Sequence, residues 1–448
     1  MQLLHLSDIH FRKAWCLRPG LDRDRAVRTR LVGSIGEQVV KFGPVDAILV
    51  TGDLAFAGDP FEYQFATDWL MNDVAPAARC DSGQIFTVPG NHDVDRGMIE
   101  EDQAIRNVLD AIHRASDQRR NDVLLDQINH EDTARSLLKP LTAYNDFATR
   151  FGCQVYAPEQ IYWMQELKLN AGVILRLHGL SSTLISGAVR ENGSQDDKER
   201  ELYLSPLQTE VIDPAANVVN LVMSHHPPSW CLDHDDIQTI LPDRAALQLF
   251  GHRHQQRVQR EKYFMRFDAG ALHPNRQENG WRPCYNLIRL KVVGDGAERL
   301  LDIEATQMEW QVNPEQFSPR KDGAKDVYHH QVPIPDSATS ARATAAMAVG
   351  GSHVAAVAIQ TAAHEQTAAS AAATVTTVMS QRSSRNLMMR FWDLSSSRRY
   401  QIALELGLIT PEEVAIPEPE RYSRAFRRAV ERGMFERLDE EVTKWQKK

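Results

Sequence analysis

Five short clusters in this chain carry residues fit to hold metal ions: Asp8-Ile9-His10, Gly52-Asp53, Gly90-Asn91-His92-Asp93, Ser224-His225-His226-Pro227-Pro228 and Gly251-His252-Arg253-His254. Each offers carboxylate, amide or imidazole donors that suit Mn, Fe or Zn. None offers a thiolate, which disfavours a structural zinc site. In Asp-x-His and His-x-His the two donors alternate along an irregular loop and project toward one centre. The glycines let backbone pass where a side chain would collide with an ion. Two dications about 3.5–4 Å apart hold a hydroxide near neutral pH and align a phosphate for in-line attack. Charge building on the non-bridging oxygens falls on the ions. No covalent nucleophile is needed, so Ser7, Ser224 and the cysteines receive no such role. Taken singly, each cluster is ordinary turn chemistry. Five in order, each directly after an apolar run, form a pattern.

The apolar runs that position them are Leu3-Leu4, Ala47–Val50, Ile85–Val88, 173–175, Val218–Met223 and Leu247–Phe250. Short runs rich in Val, Ile and Leu that end in Gly, Asp, His or Ser read as buried strands feeding polar loops. Leu31, Ile35 and Val39 recur at helical spacing before Gly43-Pro44, and Phe61, Phe65, Trp69 and Leu70 mark a second helix. Tyr263–Phe267, Tyr285–Val293 and Leu300–Ala305 predict an antiparallel second sheet. The expected architecture is α/β, two sheets with helices outside them. Between about 94 and 170 lies a charged, helix-prone insertion, with Ile105, Val108, Leu109 and Ile112 at amphipathic spacing. It reads equally as a decoration packed on the core or as a lid over the site.

The chain has 448 residues, 42% hydrophobic and 25% charged, which predicts a soluble globular protein of two or three units. A net charge of −9 argues against nucleic-acid binding by bulk charge. The five cysteines are scattered without CxxC spacing and odd in number, which points to a reducing cytoplasm. Met1–His10 reads as a first strand, not a signal peptide. The Ala-rich stretch 345–378 is interrupted by His353, Gln360, His364 and Glu365, so no membrane span is expected.

The ordered set of clusters resembles the calcineurin-like metallophosphoesterase superfamily, whose pattern is DxH, GD, GNH(D/E), H and GHxH. The match covers about the first 310 residues and is complete at every motif position. It implies a four-layer αββα sandwich with a dinuclear centre at the carboxyl ends of the strands. One ion would be held by Asp8, His10 and His254, the other by Asn91, His225 and His252, with Asp53 bridging. Manganese is the first choice of ion; Fe, Zn, Co or Ni would also suit the donors. His225 is preferred over His226, which becomes the ligand if the strand register slips. His92 would act beside the leaving oxygen as general acid or electrostatic partner. Asp93 is grouped with it as catalytic, orienting backbone or the imidazole. Asn91, His92 and Arg96 are the candidate substrate contacts. A structural or solvated arginine is the stronger reading for Arg96, and for Arg253.

Departures from the family narrow the substrate. Protein phosphatases of the superfamily carry GDxVDRG and GNHE, whereas this chain reads Gly52-Asp53-Leu54-Ala55-Phe56-Ala57-Gly58 and ends its third motif in Asp93. The pattern is closer to cyclic-nucleotide phosphodiesterases and Mre11/SbcD-type nucleases, so a nucleotide or nucleic-acid phosphodiester is the expected substrate. The alternatives are a DNA nuclease, a partner-gated defence effector, or a metal-binding scaffold without turnover. The expected division is a catalytic domain over 1–312, an extension with an Ala/Ser/Thr-rich linker over 313–386, and a small helical interaction domain over 387–448. There, Ser395–Ser397 precede a helix closed by Gly407, Thr410-Pro411-Glu412-Glu413 forms a capping box, and Tyr422, Phe426, Val430, Phe435, Leu438, Val442 and Trp445 form an apolar stripe. This module resembles effector-associated adaptor domains of bacterial conflict proteins. The resemblance implies a protein partner or self-association.

Overall fold

The computed structural model describes residues 1–156, 160–188, 196–273, 282–335 and 384–446. The Ala/Ser/Thr-rich stretch, 336–383, lies outside the described residues. Thirteen strands are present among those described: β1 Gln2–Leu6, β2 Ala47–Val50, β3 Ile85–Thr87, β4 Tyr162–Lys168, β5 Ile174–Leu180, β6 Val218–Ser224, β7 Leu247–Phe250, β8 Arg257–Glu261, β9 Phe264–Asp268, β10 Cys284–Val293, β11 Leu300–Val312, β12 Glu315–Pro319 and β13 Tyr328–Pro333. They form two mixed sheets, ordered β12-β11-β10-β1-β2-β3, with β13 also on β11, and β4-β5-β6-β7-β9-β8. Leu4, Leu6 and Leu49 of the first sheet share one core with Leu175, Leu221 and Leu249 of the second. Burial of each contributes about 1.5–3 kcal/mol. Helices flank the pair of sheets, which gives the α/β four-layer sandwich.

The six apolar runs become β1, β2, β3, β5, β6 and β7. Within each sheet these are parallel, so their carboxyl ends open on a common side. The helix Arg25–Phe42 buries Val27, Leu31, Ile35 and Val39 and ends at Gly43, whose φ of 94° suits glycine. The helix Pro60–Trp69 starts where the Asp59 side chain accepts from the amide of Phe61 and Pro60 occupies the first turn.

Two expectations about the sheets are corrected. β10 and β11 do not build a separate second sheet; β10 pairs antiparallel with β1 and extends the first, while β9 joins the second sheet parallel to β7. Local alternation reports that a segment is a strand but not which neighbour it pairs with. The sheet also runs past 312 through β12 and β13. The insertion forms five helices between Arg96 and Thr149, and Ile105, Val108, Leu109 and Ile112 are buried in the main core. Its far end, expected to be helical, is instead β4. This is an edge strand whose Gln165, Glu166 and Lys168 leave no apolar run to mark it.

Helices over 384–392, Ser396–Glu405, Glu418–Glu431 and Phe435–Gln446 surround a second core of Leu387, Phe391, Ile402, Tyr422, Phe426 and Leu438. The capping box at Thr410 is formed, and Gly407 takes a φ of 64°. Val430, placed on the apolar stripe, is 61% exposed.

Candidate metal centre

Each motif begins within a few residues of a strand's end, and the local backbone bends sharply there. Asp8, His10, Asp53, His252 and His254 all have φ between 53° and 68°, the left-handed region that non-glycine residues rarely adopt. Such conformations cost on the order of 1–3 kcal/mol each and persist only where the surroundings fix them. In both two-donor loops the pair is left-handed. Between Asp8 and His10, Ile9 is fully buried in the core and serves as an anchor. Gly90 is required by close approach: a Cβ there would stand 2.1 Å from Asp53 Oδ1.

All seven expected ligands are brought together. Asp53 Oδ2 lies 3.2 Å from His10 Nε2 and 3.3 Å from His225 Nε2. His254 Nε2 is 3.3 Å from Asp8 Oδ1. Asn91 Oδ1 meets His225 Nε2 at 3.2 Å and His252 Nδ1 at 3.0 Å. His226, kept above as a register alternative, also faces Asn91 Oδ1, at 3.2 Å from its Nε2. The two adjacent histidines therefore turn to the same place, and their side-by-side occurrence before Pro227-Pro228 was the available signal.

The donors fit a pair of divalent cations. His225 Nδ1 is 2.7 Å from the carbonyl of Thr51, which uses its N–H and turns the Nε2 lone pair toward the oxygens of Asp53 and Asn91. A lone pair facing two oxygen acceptors calls for positive charge between them. Burial lowers His225, yet Asp53 and Asp8 carry it up to about 9, another sign of that demand. Burial would raise Asp53, but His225, His92 and His10 hold it well below the carboxylate range. His252 is lowered to about 3, chiefly by burial and then by His225, which keeps its ring neutral and able to coordinate. Asp8 Oδ1 is buried and faces His254 Nε2 at 3.3 Å.

His92 and Asp93 occupy different sides of this arrangement. His92 Nδ1 donates to the carbonyl of Phe56 at 2.8 Å, and its ring stacks on Phe56 at 4.8 Å and meets His10 edge-on at 4.8 Å. Burial is the main cause lowering its pKa. Asp93 is fully buried behind the centre and accepts from four donors: the amides of Asp53, Gly90 and Ala55 at 2.8, 2.8 and 3.0 Å, and the Tyr63 hydroxyl at 2.7 Å. Its contacts are with backbone and Tyr63, not with the His92 imidazole. Burial and the charge of Asp53 push its carboxyl up to about 6 against those donors. Arg96 is turned to Asp196 at 2.9 Å and Asp197 at 4.0 Å, so its guanidinium serves this acidic pair. Phe56 and Tyr63 were not anticipated, since aromatic residues near a Gly-Asp motif carry no pattern of their own.

Two mixed sheets with a cluster of histidines and carboxylates at the strand ends define a metallophosphoesterase. The calcineurin-like phosphoesterase family matches residues 1–256, more than half of the chain, and the chain belongs to that family. Residues 383–444 match the GTPase-associated adaptor domain. A curated relative, the uncharacterized metallophosphoesterase-like protein YydB of Bacillus subtilis, is 22% identical over 242 residues, 54% of this chain and 45% of that protein. The match thus spans less than half of that relative's length. Among solved structures, a predicted phosphoesterase from Streptococcus pneumoniae is similar over 74% of this chain and 97% of its own, at 12% identity and a TM-score of 0.25. Vps29 of Entamoeba histolytica, solved with Zn²⁺, is similar over 75% and 100%, at 9% identity and a TM-score of 0.27. Among the described residues no helix is long and apolar enough to cross a membrane.

Proposed function

We propose that the chain is a dinuclear phosphodiesterase acting on a nucleotide or nucleic-acid phosphodiester. In this reading Asp8, His10 and His254 hold one ion, Asn91, His225 and His252 hold the other, and Asp53 is shared. The supporting observation is Asp53 Oδ2, placed between His10 Nε2 at 3.2 Å and His225 Nε2 at 3.3 Å, each of which belongs to a separate donor set. Two divalent ions, manganese first among the candidates, supply an activated water and offset phosphoryl charge when bound. His92 turns Nε2 to the leaving oxygen, because its Nδ1–H is committed to Phe56; Nε2 first takes a proton from water and then gives it to the departing oxygen. Asp93 positions the Asp53 and Gly90 amides and does not touch substrate. Arg96 is engaged by Asp196 and Asp197, so that loop offers no free guanidinium for the extra charge of a monoester, which favours a diester. The chain divides, on this reading, into a catalytic part that β12 and β13 carry past 312 to about 335, a linking part over 336–383 and an adaptor part from 384 onward. The adaptor recruits a protein partner, a GTPase or its associate being the first to test.

The test is hydrolysis of bis(p-nitrophenyl) phosphate and p-nitrophenyl phosphate with Mn²⁺. Metal-dependent diester turnover that falls to background in Asp53→Ala, and sharply in His92→Ala, is expected. Preference for the monoester would overturn the diesterase reading. Bound metal without turnover of either ester would favour a scaffold.

A further inference from the structure

Beside the proposed centre lies a cavity of about 210 Å³ that none of the expected ligands lines. It starts where the centre stops: its wall includes Pro227 and Pro228, directly after His225-His226, and Arg253, between His252 and His254. The far wall is the outer end of the second sheet. Arg257 on β8 pairs in register with Asp268 on β9, and Gln259 with Arg266, so two-residue spacing brings all four onto one face. Three arginines and one carboxylate leave this wall positive in a chain whose net charge is −9. The positive field is therefore local, and it adjoins the place where phosphate would react.

Arg253 pairs loosely with Glu199, 3.6 Å from its Nη2, and the three arginines share the charge of Asp268, so each keeps donor capacity for a further anion. Arg253 Nη2 donates to Ser229 Oγ at 2.7 Å, and its buried Nε has no hydrogen-bond partner. Arg266 is steadied by Gln248 at 2.9 Å and lies against Phe250 and Phe264. Arg257 is exposed at the rim. Asp268 is 6% exposed, and its Oδ1 has no hydrogen-bond partner. Guanidinium donors beside an open carboxylate acceptor suit a group with both a phosphate and a hydroxyl or N–H donor, which a nucleotide unit provides.

We infer that this cavity is a second phosphate subsite, which seats the nucleotide next to the scissile bond and directs the enzyme to a nucleic-acid strand in preference to an isolated diester. Arg253 and Arg257 grip the neighbouring phosphate, and Asp268 accepts from its sugar or base. The inference rests on the diesterase reading and specifies its substrate.

Binding is measured first, on the metal-stripped chain, with fluorescently labelled dithymidylate with and without a 5′-phosphate. The phosphorylated form is expected to bind about tenfold tighter, the scale of one charge-assisted hydrogen bond. Arg257→Glu, at an exposed position on β8, is expected to erase that difference while the thermal unfolding midpoint stays near that of the wild-type chain. Equal affinities, or a difference untouched by Arg257→Glu, would overturn the subsite. Thymidine 5′-diphosphate, with its phosphates directly joined, competes in the second arm; displacement as effective as by the dinucleotide would overturn the assignment to a strand. With Mn²⁺, Arg257→Glu is expected to lower the kcat/KM ratio of phosphorylated dithymidylate to bis(p-nitrophenyl) phosphate about tenfold. No turnover of bis(p-nitrophenyl) phosphate by the wild-type chain would sink the diesterase reading, and this inference with it. Turnover with an unchanged ratio would sink the inference alone.

Discussion

The loops of the metal centre and the seat of the adaptor domain are held in place by opposite means. At the centre, five left-handed non-glycine residues are fixed by dense contacts, with Asp93 alone gathering four donors beneath them. The adaptor has its own core and rests on the catalytic part through a few polar anchors. Arg385 donates to the carbonyls of Gly83 and Ile85 at 2.8 and 2.6 Å, Gln154 donates to Ser423 at 2.8 Å, and Arg150 pairs with Asp393 at 2.6 Å. β3 is an edge strand, and Arg385 covers carbonyls that would otherwise face outward. The first region stores strain to hold donors in advance of ions. The second is held by contacts that lie outside the adaptor's own core.

The sharpest way to break the first region is at Asp93. Asp93→Ala leaves three buried amides and the Tyr63 hydroxyl without their acceptor, at about 1–3 kcal/mol for each buried group. The expected result is a fall of several kcal/mol in stability by urea unfolding, together with loss of metal affinity by calorimetry. A variant that binds metal normally at wild-type stability would show that the loops are held by something else.

Much of this region was legible in the sequence, because ligand chemistry demands particular residue types at strand ends. That Asp8, His10, Asp53, Asn91, His225, His252 and His254 gather in one place could be foreseen from motif order alone. Their support could not. Tyr63 reaches Asp93 from a helix thirty residues upstream, and Phe56 stacks on His92 from a loop 36 residues upstream, contacts that exist only once the chain has folded. β4 escaped because an edge strand with polar faces lacks the alternation that marks a half-buried one. The separate second sheet was misjudged because β10 chose β1, a partner some 280 residues away, through long-range packing. The arginine cavity was invisible for the same reason: Arg253 sits in a motif, but Arg257 and Arg266 join it only through the β8–β9 register.

The adaptor seat should yield to gentler changes. Arg385 is buried over the Phe86 ring, 4.1 Å from its centroid, so Arg385→Ala removes its hydrogen bonds to Gly83 and to Ile85 of the edge strand, and that packing. A loss of about 2–5 kcal/mol of docking is expected, as two buried acceptors lose their donor. It should appear as rapid hydrogen exchange over 384–392, with turnover of bis(p-nitrophenyl) phosphate within about twofold of wild type. Loss of turnover alongside undocking would mean that the two regions are coupled and that their contrast is false.

The smallest expected effect concerns pH. Asp146, on the helix Thr142–Thr149, has its carboxyl raised to about 6, first by burial and then by the charge of Glu418 on the adaptor. A raised carboxyl means that the docked form binds a proton the released form lacks between about pH 4 and 6. Docking is therefore strengthened below that window and weakens as pH rises through about 6. The group is partly exposed, so solvent and salt screen much of the effect. Protection factors over 384–392 should be higher at pH 5 than at pH 7.5, and Asp146→Asn, which cannot ionise, should flatten that difference while keeping the shape of the seat. If the variant keeps the full pH dependence, the Asp146–Glu418 pair is not what tunes the seat, and the adaptor's grip lies with Arg385 and its neighbours alone.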